Sequence, residues 1–305
     1  MSAEKTLIFY LEPAFRKRAE AGKVNFVNKI VAAFASVGYA SEFQGNGDAE
    51  IVGSVLHPGY ALYLMEDPIS PRGLTMRLAY LYPFWRIEKS GKRWEWEVAK
   101  TRFDPTKEDL AEAANFTRQW RRRLYGIEEA TSTSDGYVYM PLQGLLAEHR
   151  SFQTMRPLDM IKATLSADPD RPIVMGLHPK EIYTADEHHA LDEILKANPR
   201  LSLSNANATD LVKGADYIVT QNSAVAVTGY FFHKPAVLFG RIDFHHIAAN
   251  VHELGVADAF QQVRHMNPDY DRYLFWFLQK MSINAGREDA EARILATVRA
   301  RGWRV

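Results

Sequence analysis

The stretch RPIVMGLHPKE (171–181) ends an apolar run in His178, Pro179, Lys180 and Glu181. Proline fixes the backbone and biases the residue before it away from helix, so the imidazole of His178 is held at a strand tip. Lys180 adds a point charge of the kind that binds phosphate. The alternative is a histidine with a purely structural role. A second stretch, DYIVTQNSAVAVTGYFF, sets Gln221, Asn222 and Ser223 between an apolar run and a run of small residues. Ser223 or Asn222 can cap the helix that the small residues begin. The free N–H groups of its first turn would then favour an anion. Ala224, Ala226 and Gly229 would let that helix lie close to a sheet and to a ligand. An ordinary helix cap explains the same residues. Gln143, after YVYMPL, is the third polar residue to follow an apolar run.

The elements that must position these residues read as alternating strands and helices. Strands are expected over 137–143, 171–177, 201–205, 216–220 and 235–240, and helices over 157–167, 185–197, 207–214 and 224–232. That alternation implies βαβ units, a parallel sheet and right-handed crossovers. Ligands of such sheets bind beyond the carboxyl ends of the strands, where all three polar ends fall. The imidazole tip and the capped helix are expected to converge on one pocket for a negatively charged group. In the first half, Thr6–Leu11 reads as a strand. Val24, Val27, Val31, Phe34 and Val37 have helical spacing, closed by Gly38, and 60–66 reads as a second strand. The segment 80–100 predicts a hairpin turning at Ser90-Gly91. Its Trp85, Trp94 and Trp96 would either stack on sugar rings or pack between domains. The helix over 107–126 ends in RQWRRR (118–123), a surface for acidic lipid or glycan, or a solvated helix end. The small polar run 127–136 reads as a linker. The expected organisation is a domain over 1–130, a second over 137–270 and a helical tail over 271–305.

Composition narrows the function classes. The 305 residues suffice for two domains. Lys+Arg and Asp+Glu are equal at 37 each, which gives no global charge for nucleic acid. Cysteine is absent, which excludes disulfides, thiol catalysis and thiolate metal sites and fits a reducing cytoplasm. There is no GxSxG, no GxxxxGK[ST] and no GxGxxG after a strand, against a nucleophile elbow, a P-loop and an ordinary NAD enzyme. His245, His246 and His252 cluster, but neighbouring histidines point apart and HExxH is missing, so no metal is expected. The apolar run near the N-terminus is too short for a signal peptide, and no stretch approaches a membrane span.

YVYMPLQ, RPIVMGLHPKE and ADYIVTQNSAVAVTGYFFHKPAVLFG occur in an order and spacing similar to those of bacterial capsule and lipopolysaccharide glycosyltransferases. The group they most resemble is the retaining transferases of 3-deoxy-D-manno-oct-2-ulosonic acid (Kdo), over roughly residues 137–245. The resemblance implies a GT-B arrangement, two Rossmann-like α/β domains facing a cleft with C-terminal helices packing back. It implies a CMP-sugar donor, a glycan or glycolipid acceptor, no metal, no cofactor and no nucleic-acid partner. It implies a cytoplasmic place, with peripheral contact at the inner membrane left open. It sets His178 and Pro179 near the donor phosphate and Asn222 and Ser223 at the helix that holds the nucleotide. Gln143, Ser151, Gln153, Lys180, Glu181 and Gln221 complete the donor side, and the three tryptophans face the acceptor. One departure stands out: Ser151 occupies about the place of an expected aspartate, which leaves Glu148 or His149, with His178, as the catalytic candidates. A catalytically degenerate binding protein and a sugar-nucleotide epimerase remain the alternatives.

Overall fold

The computed structural model describes residues 5–305; residues 1–4, at the start of the expected first domain, lie outside them. The chain forms two compact units, one of the residues up to Thr101 with Phe277–Val305, the other of Arg102–Trp276.

The first unit is built on β1 (Thr6–Leu11), β2 (Ala40–Gly45), β3 (Tyr60–Leu64), β4 (Gly73–Leu78) and β5 (Phe84–Glu88), with a two-residue strand, Ile283–Asn284, at one edge. Its order from the other edge is β2-β1-β3-β4-β5 and then Ile283–Asn284. The pairings among β1 to β4 are parallel, and β5 runs antiparallel to β4. Every residue of β1 is buried, as a parallel strand covered on both faces requires. The Asn25–Ala35 helix buries Phe26, Val27, Ile30, Ala33 and Phe34, one stripe at helical spacing. The C-terminal helix Ala290–Ala300 packs on it and brings Ile294, Val298 and Trp303 into the same core.

No hairpin turns at Ser90-Gly91. β5 pairs instead with β4 and with Ile283–Asn284, and the chain beyond it folds into tight turns and the short helix Glu97–Lys100. Asp67 Oδ1 fixes the first turn by accepting from Gly91 N at 2.6 Å and Ser90 Oγ at 3.2 Å. The alternation in RWEWEV arises from turns that bury Trp96 and Val98, not from a strand.

The second unit holds β6 (Val138–Leu142), β7 (Ile173–Leu177), β8 (Leu201–Leu203), β9 (Tyr217–Thr220), β10 (Ala236–Leu238) and β11 (Ala249–Asn250). All pairings are parallel and the order is β8-β7-β6-β9-β10-β11. This is the doubly wound order, and its switch point falls between β6 and β9. Helices Pro157–Ala167, Ala185–Ala197, Ala208–Gly214 and Val225–Phe231 connect the strands. A methyl group on Gly229 would collide with Ile218 Cδ1, so the small residue does let its helix approach the sheet.

The units divide at Thr101 and Phe277, not within 127–136 and at 271. The Leu110–Tyr125 helix belongs to the second unit, where it packs on Tyr270–Leu274. Arg121, from the arginine run, is buried and donates from Nε to Phe231 O and from Nη1 to Glu128 O, both at 2.8 Å. The polar run 127–136 is likewise tied down. Asp216 Oδ1 accepts from Ser134 Oγ at 2.9 Å and Gly136 N at 3.1 Å, and Lys234 Nζ donates to Thr133 O. Small polar composition here marks a surface strap, which the sequence cannot distinguish from a linker.

Helix Ala185–Ala197 opens with a reciprocal cap: Thr184 Oγ1 accepts from Glu187 N and Glu187 Oε2 accepts from Thr184 N. The other oxygen of Glu187 accepts from Leu146 N, which anchors the loop after β6. Burial would raise the Glu187 pKa, but hydrogen bonds from Thr184, Leu146 and Ala147 outweigh it and hold the carboxylate below its usual range. Glu187→Gln is therefore expected to cost roughly 1–3 kcal/mol near neutral pH. Because the folded pKa is depressed, the wild-type advantage is full above the usual glutamate range and fades as pH falls through the folded value. Urea melts of both proteins from neutral to acid pH check this; a difference independent of pH would refute it. Arg121→Ala should cost about 2–4 kcal/mol by orphaning two carbonyls, against under about 0.5 kcal/mol for the exposed Arg122→Ala.

Candidate functional site at the carboxyl edge of the second unit

The loop after β6 crosses the ends of β9 and β10. Arg150 N donates to Gln153 Oε1 at 2.7 Å and Gln153 N to Arg150 O at 2.9 Å. Gln153 bridges to Gly240, Thr154 N donates to Phe239 O at 2.7 Å, and Gln221 Nε2 donates to Met155 O at 3.0 Å. These bonds settle which way the amides face. Gln153 is 7% exposed and keeps its Nε2 donor unused, and Gln221 is 2% exposed and keeps its Oε1 acceptor unused. Gln143 Oε1, Thr154 Oγ1, and Arg150 Nε and Nη2 are also buried without a hydrogen-bond partner. Such groups are rare inside proteins and costly to leave unmade, and here they gather on both sides of the switch point.

Ser223 is buried; its N donates to Thr220 Oγ1 at 3.4 Å and its Oγ accepts from Val225 N at 3.3 Å. Ala224, not Ser223, holds the cap position of the Val225–Phe231 helix, so the serine satisfies a single first-turn N–H. Asn222 beside it is half-buried.

At the end of β7, His178 is exposed and Lys180 N donates to its Nδ1 at 3.2 Å. The neutral ring therefore carries its proton on Nε2, which is left as a donor. His178 N donates to Tyr183 Oη at 2.9 Å, fixing the strand tip. A cavity of about 630 Å³ opens here, lined among others by Tyr139, His178, Pro179, Glu181, Tyr183 and Asn207. That volume lies within the range of small-molecule sites. Burial, with a smaller contribution from Tyr137, pushes the Tyr139 pKa up to about 12, so its hydroxyl remains a neutral donor at physiological pH. Glu181 lies against Gly144, where any Cβ would collide with its carboxylate. That contact ties the loop after β7 to the loop after β6.

The expected single pocket is thus replaced by two adjacent features on one edge. β6 lies between β7 and β9, so the His178 and Ser223 ends stand two strand spacings apart, about 10 Å. The cavity flanks β7 and β8, and Gln221, Asn222 and Ser223 do not line it. Lys180 is exposed outside its lining. Glu148 is exposed on the turn closed by its N–H to Leu145 O at 3.2 Å, and His149 Nε2 donates to Gln153 O at 2.9 Å. Ser151 is exposed, and its carbonyl accepts from Arg241 Nη2 at 2.8 Å.

Two of the three tryptophans cannot receive a sugar. Trp85 is core, stacked on Phe26 at 4.8 Å, and Trp96 is 1% exposed and donates Nε1 to Ser90 O at 2.7 Å. Trp94 is half-buried. His245 and His246 stack on each other at 4.3 Å. Among the described residues no group of three or more histidines and acids is arranged to hold a metal ion, and no helix is long and apolar enough to cross a membrane. Reading by spacing alone missed Arg150, Thr154, Tyr139 and Tyr183, whose role rests on burial and partners.

No protein-family model and no curated protein matches the chain. Solved structures do. The beta Kdo 2,7 transferase structure of Thermosulfurimonas dismutans KpsC matches with a TM-score of 0.56 at 13% identity, over 98% of this chain and 100% of that one. The beta Kdo 2,4 transferase structure of the same protein gives 0.47 at 11% identity, over 88% and 89% of the two chains. Staphylococcus aureus MnaA, in its structure with UDP, gives 0.38 at 12% identity, over 98% and 96%. At such identity the first likeness shows the fold alone: the chain has the GT-B fold of two Rossmann-like α/β domains.

Proposed function

We propose that this protein is a glycosyltransferase that binds a sugar nucleotide on its second unit and passes the sugar to a glycan or glycolipid. The observation that carries the reading is the carboxyl edge at the β6/β9 switch point. There, unused buried donors and acceptors lie beside a cavity of ligand size whose rim presents the Nε2–H of His178. The edge of an open α/β sheet at a switch point is where nucleotides bind.

Glycosyl transfer breaks the bond between the anomeric carbon and the phosphate oxygen, and negative charge grows on the departing phosphate. A donor fixed before the reaction stabilises that charge without reorganising. His178 serves this purpose, held by Tyr183 and by the amide of Lys180, with the Lys180 ammonium as a mobile second charge. In this reading the charge is met by side chains, without a cofactor. Glu148 and His149, on the loop after β6, are the groups available to take the acceptor hydroxyl's proton. The HPKE and QNS motifs, with the KpsC likeness, support Kdo or a related acidic sugar carried by CMP.

The direct test supplies CMP-Kdo and a panel of other sugar nucleotides with and without lipopolysaccharide or capsule acceptors, and follows products by mass spectrometry. Acceptor-dependent transfer is expected. Epimerisation of a donor in the absence of acceptor would replace this reading by an epimerase, and nucleotide binding without turnover by a binding protein. His178→Ala should lower turnover by about 100-fold, as loss of one preorganised donor does, while the melting curve is unchanged. Full activity in that variant would remove His178 from the phosphate.

A further inference from the structure

The loop after β6 carries a half-buried cation, Arg150, two of whose guanidinium nitrogens have no hydrogen-bond partner. Arg150 rests on the face of Phe152, its guanidinium carbon 4.8 Å from the ring centre, and its backbone is locked to the Gln153 amide at 2.7 Å. Its Nε and Nη2 are buried and have no hydrogen-bond partner. Glu181 and Glu148 face it and moderate its charge, but burial is the larger influence and lowers its pKa. An arginine nonetheless stays protonated. Two other arginines of this unit are well partnered. Arg200 donates to Asp168 O, Arg171 O and Leu165 O, and Arg171 joins Asp168 and Asp216.

Nε and Nη2 form one side of the guanidinium fork, the side that grips two oxygens of a phosphate or carboxylate in parallel. Gln153 Nε2 and Thr154 Oγ1, also unused, supply donors on the same loop. Glu181 connects the place to the cavity, since it both lines the cavity and lies against Gly144 at the root of this loop. We infer that Arg150 is the anion-binding residue of this edge, taking an oxyanion side-on between the switch point and the cavity. Within the glycosyltransferase reading, on which the identity of the ligand rests, that oxyanion is either the donor's phosphate or the carboxylate of an acidic sugar.

Three probes separate the sources: CMP, which has a phosphate and no carboxylate; free Kdo, which has a carboxylate and no phosphate; and inorganic pyrophosphate. Binding is measured by calorimetry on the whole chain for the wild type, Arg150→Gln and Arg150→Lys, with melting curves of each. If Arg150 holds the phosphate, Arg150→Gln weakens CMP and pyrophosphate at least ten-fold and leaves Kdo unchanged. If it holds the carboxylate, Kdo alone weakens. Arg150→Lys keeps the charge without the fork and should remain several-fold weaker than wild type. Should Arg150→Gln fail to fold, Gln153→Glu provides the second route. It leaves Arg150 in place, sets a carboxylate on the adjoining residue, and should cost the same ten-fold. Unchanged affinities in folded variants overturn the proposal, as does a wild type that binds none of the three probes. A wild type that binds pyrophosphate through Arg150 but no CMP keeps the anion site and sinks the reading of a CMP-sugar donor instead.

Discussion

The reversal of strand order between β6 and β9 is the constraint from which the rest of the site follows. Chains leaving two adjacent parallel strands toward opposite edges of a sheet cannot both close over the ends they leave, and a crevice results. In this protein the loop after β6 runs across that crevice and is hydrogen-bonded to the ends of β9 and β10 through Gln153, Thr154 and Gln221. The backbone is satisfied, but several side-chain donors and acceptors are not.

The placement of these side chains depends on a few anchors outside the edge. Glu187 links the start of its helix to Leu146, and thereby sets the path of the loop that carries Arg150 and Gln153. Tyr183 and the amide of Lys180 hold His178 from two directions. Asp168, fully buried, pairs with Arg171 and accepts from Tyr217, fixing the amino ends of the strands at the other end of the sheet.

Much of the architecture was legible because burial on both faces leaves a continuous apolar run. β1 coincides with its expected span, and the helices Pro157–Ala167 and Ala185–Ala197 match the ranges expected for them. The hairpin at Ser90-Gly91 was misread because tight turns can mimic strand alternation when every second residue is apolar. Gln143, His178 and Gln221 were accessible to sequence reasoning, since polar residues just beyond buried strands must face the carboxyl edge, whereas Gln153 entered only with the family resemblance. Arg150 was accessible by neither route. Its surroundings become apparent only when the loop is packed and its N–H groups are found without partners. The tryptophans failed for the converse reason, since an aromatic that suits a sugar suits a core equally well.

The bare hydrogen at Gly144 has a reach beyond its own loop. Because the Glu181 side chain fills the space that a side chain on Gly144 would need, the loops after β6 and β7 lie close against each other. The guanidinium and the cavity are thereby carried on two neighbouring loops. A ligand that reached from the guanidinium of the proposed site into the cavity would be selected by its span as much as by its chemical groups.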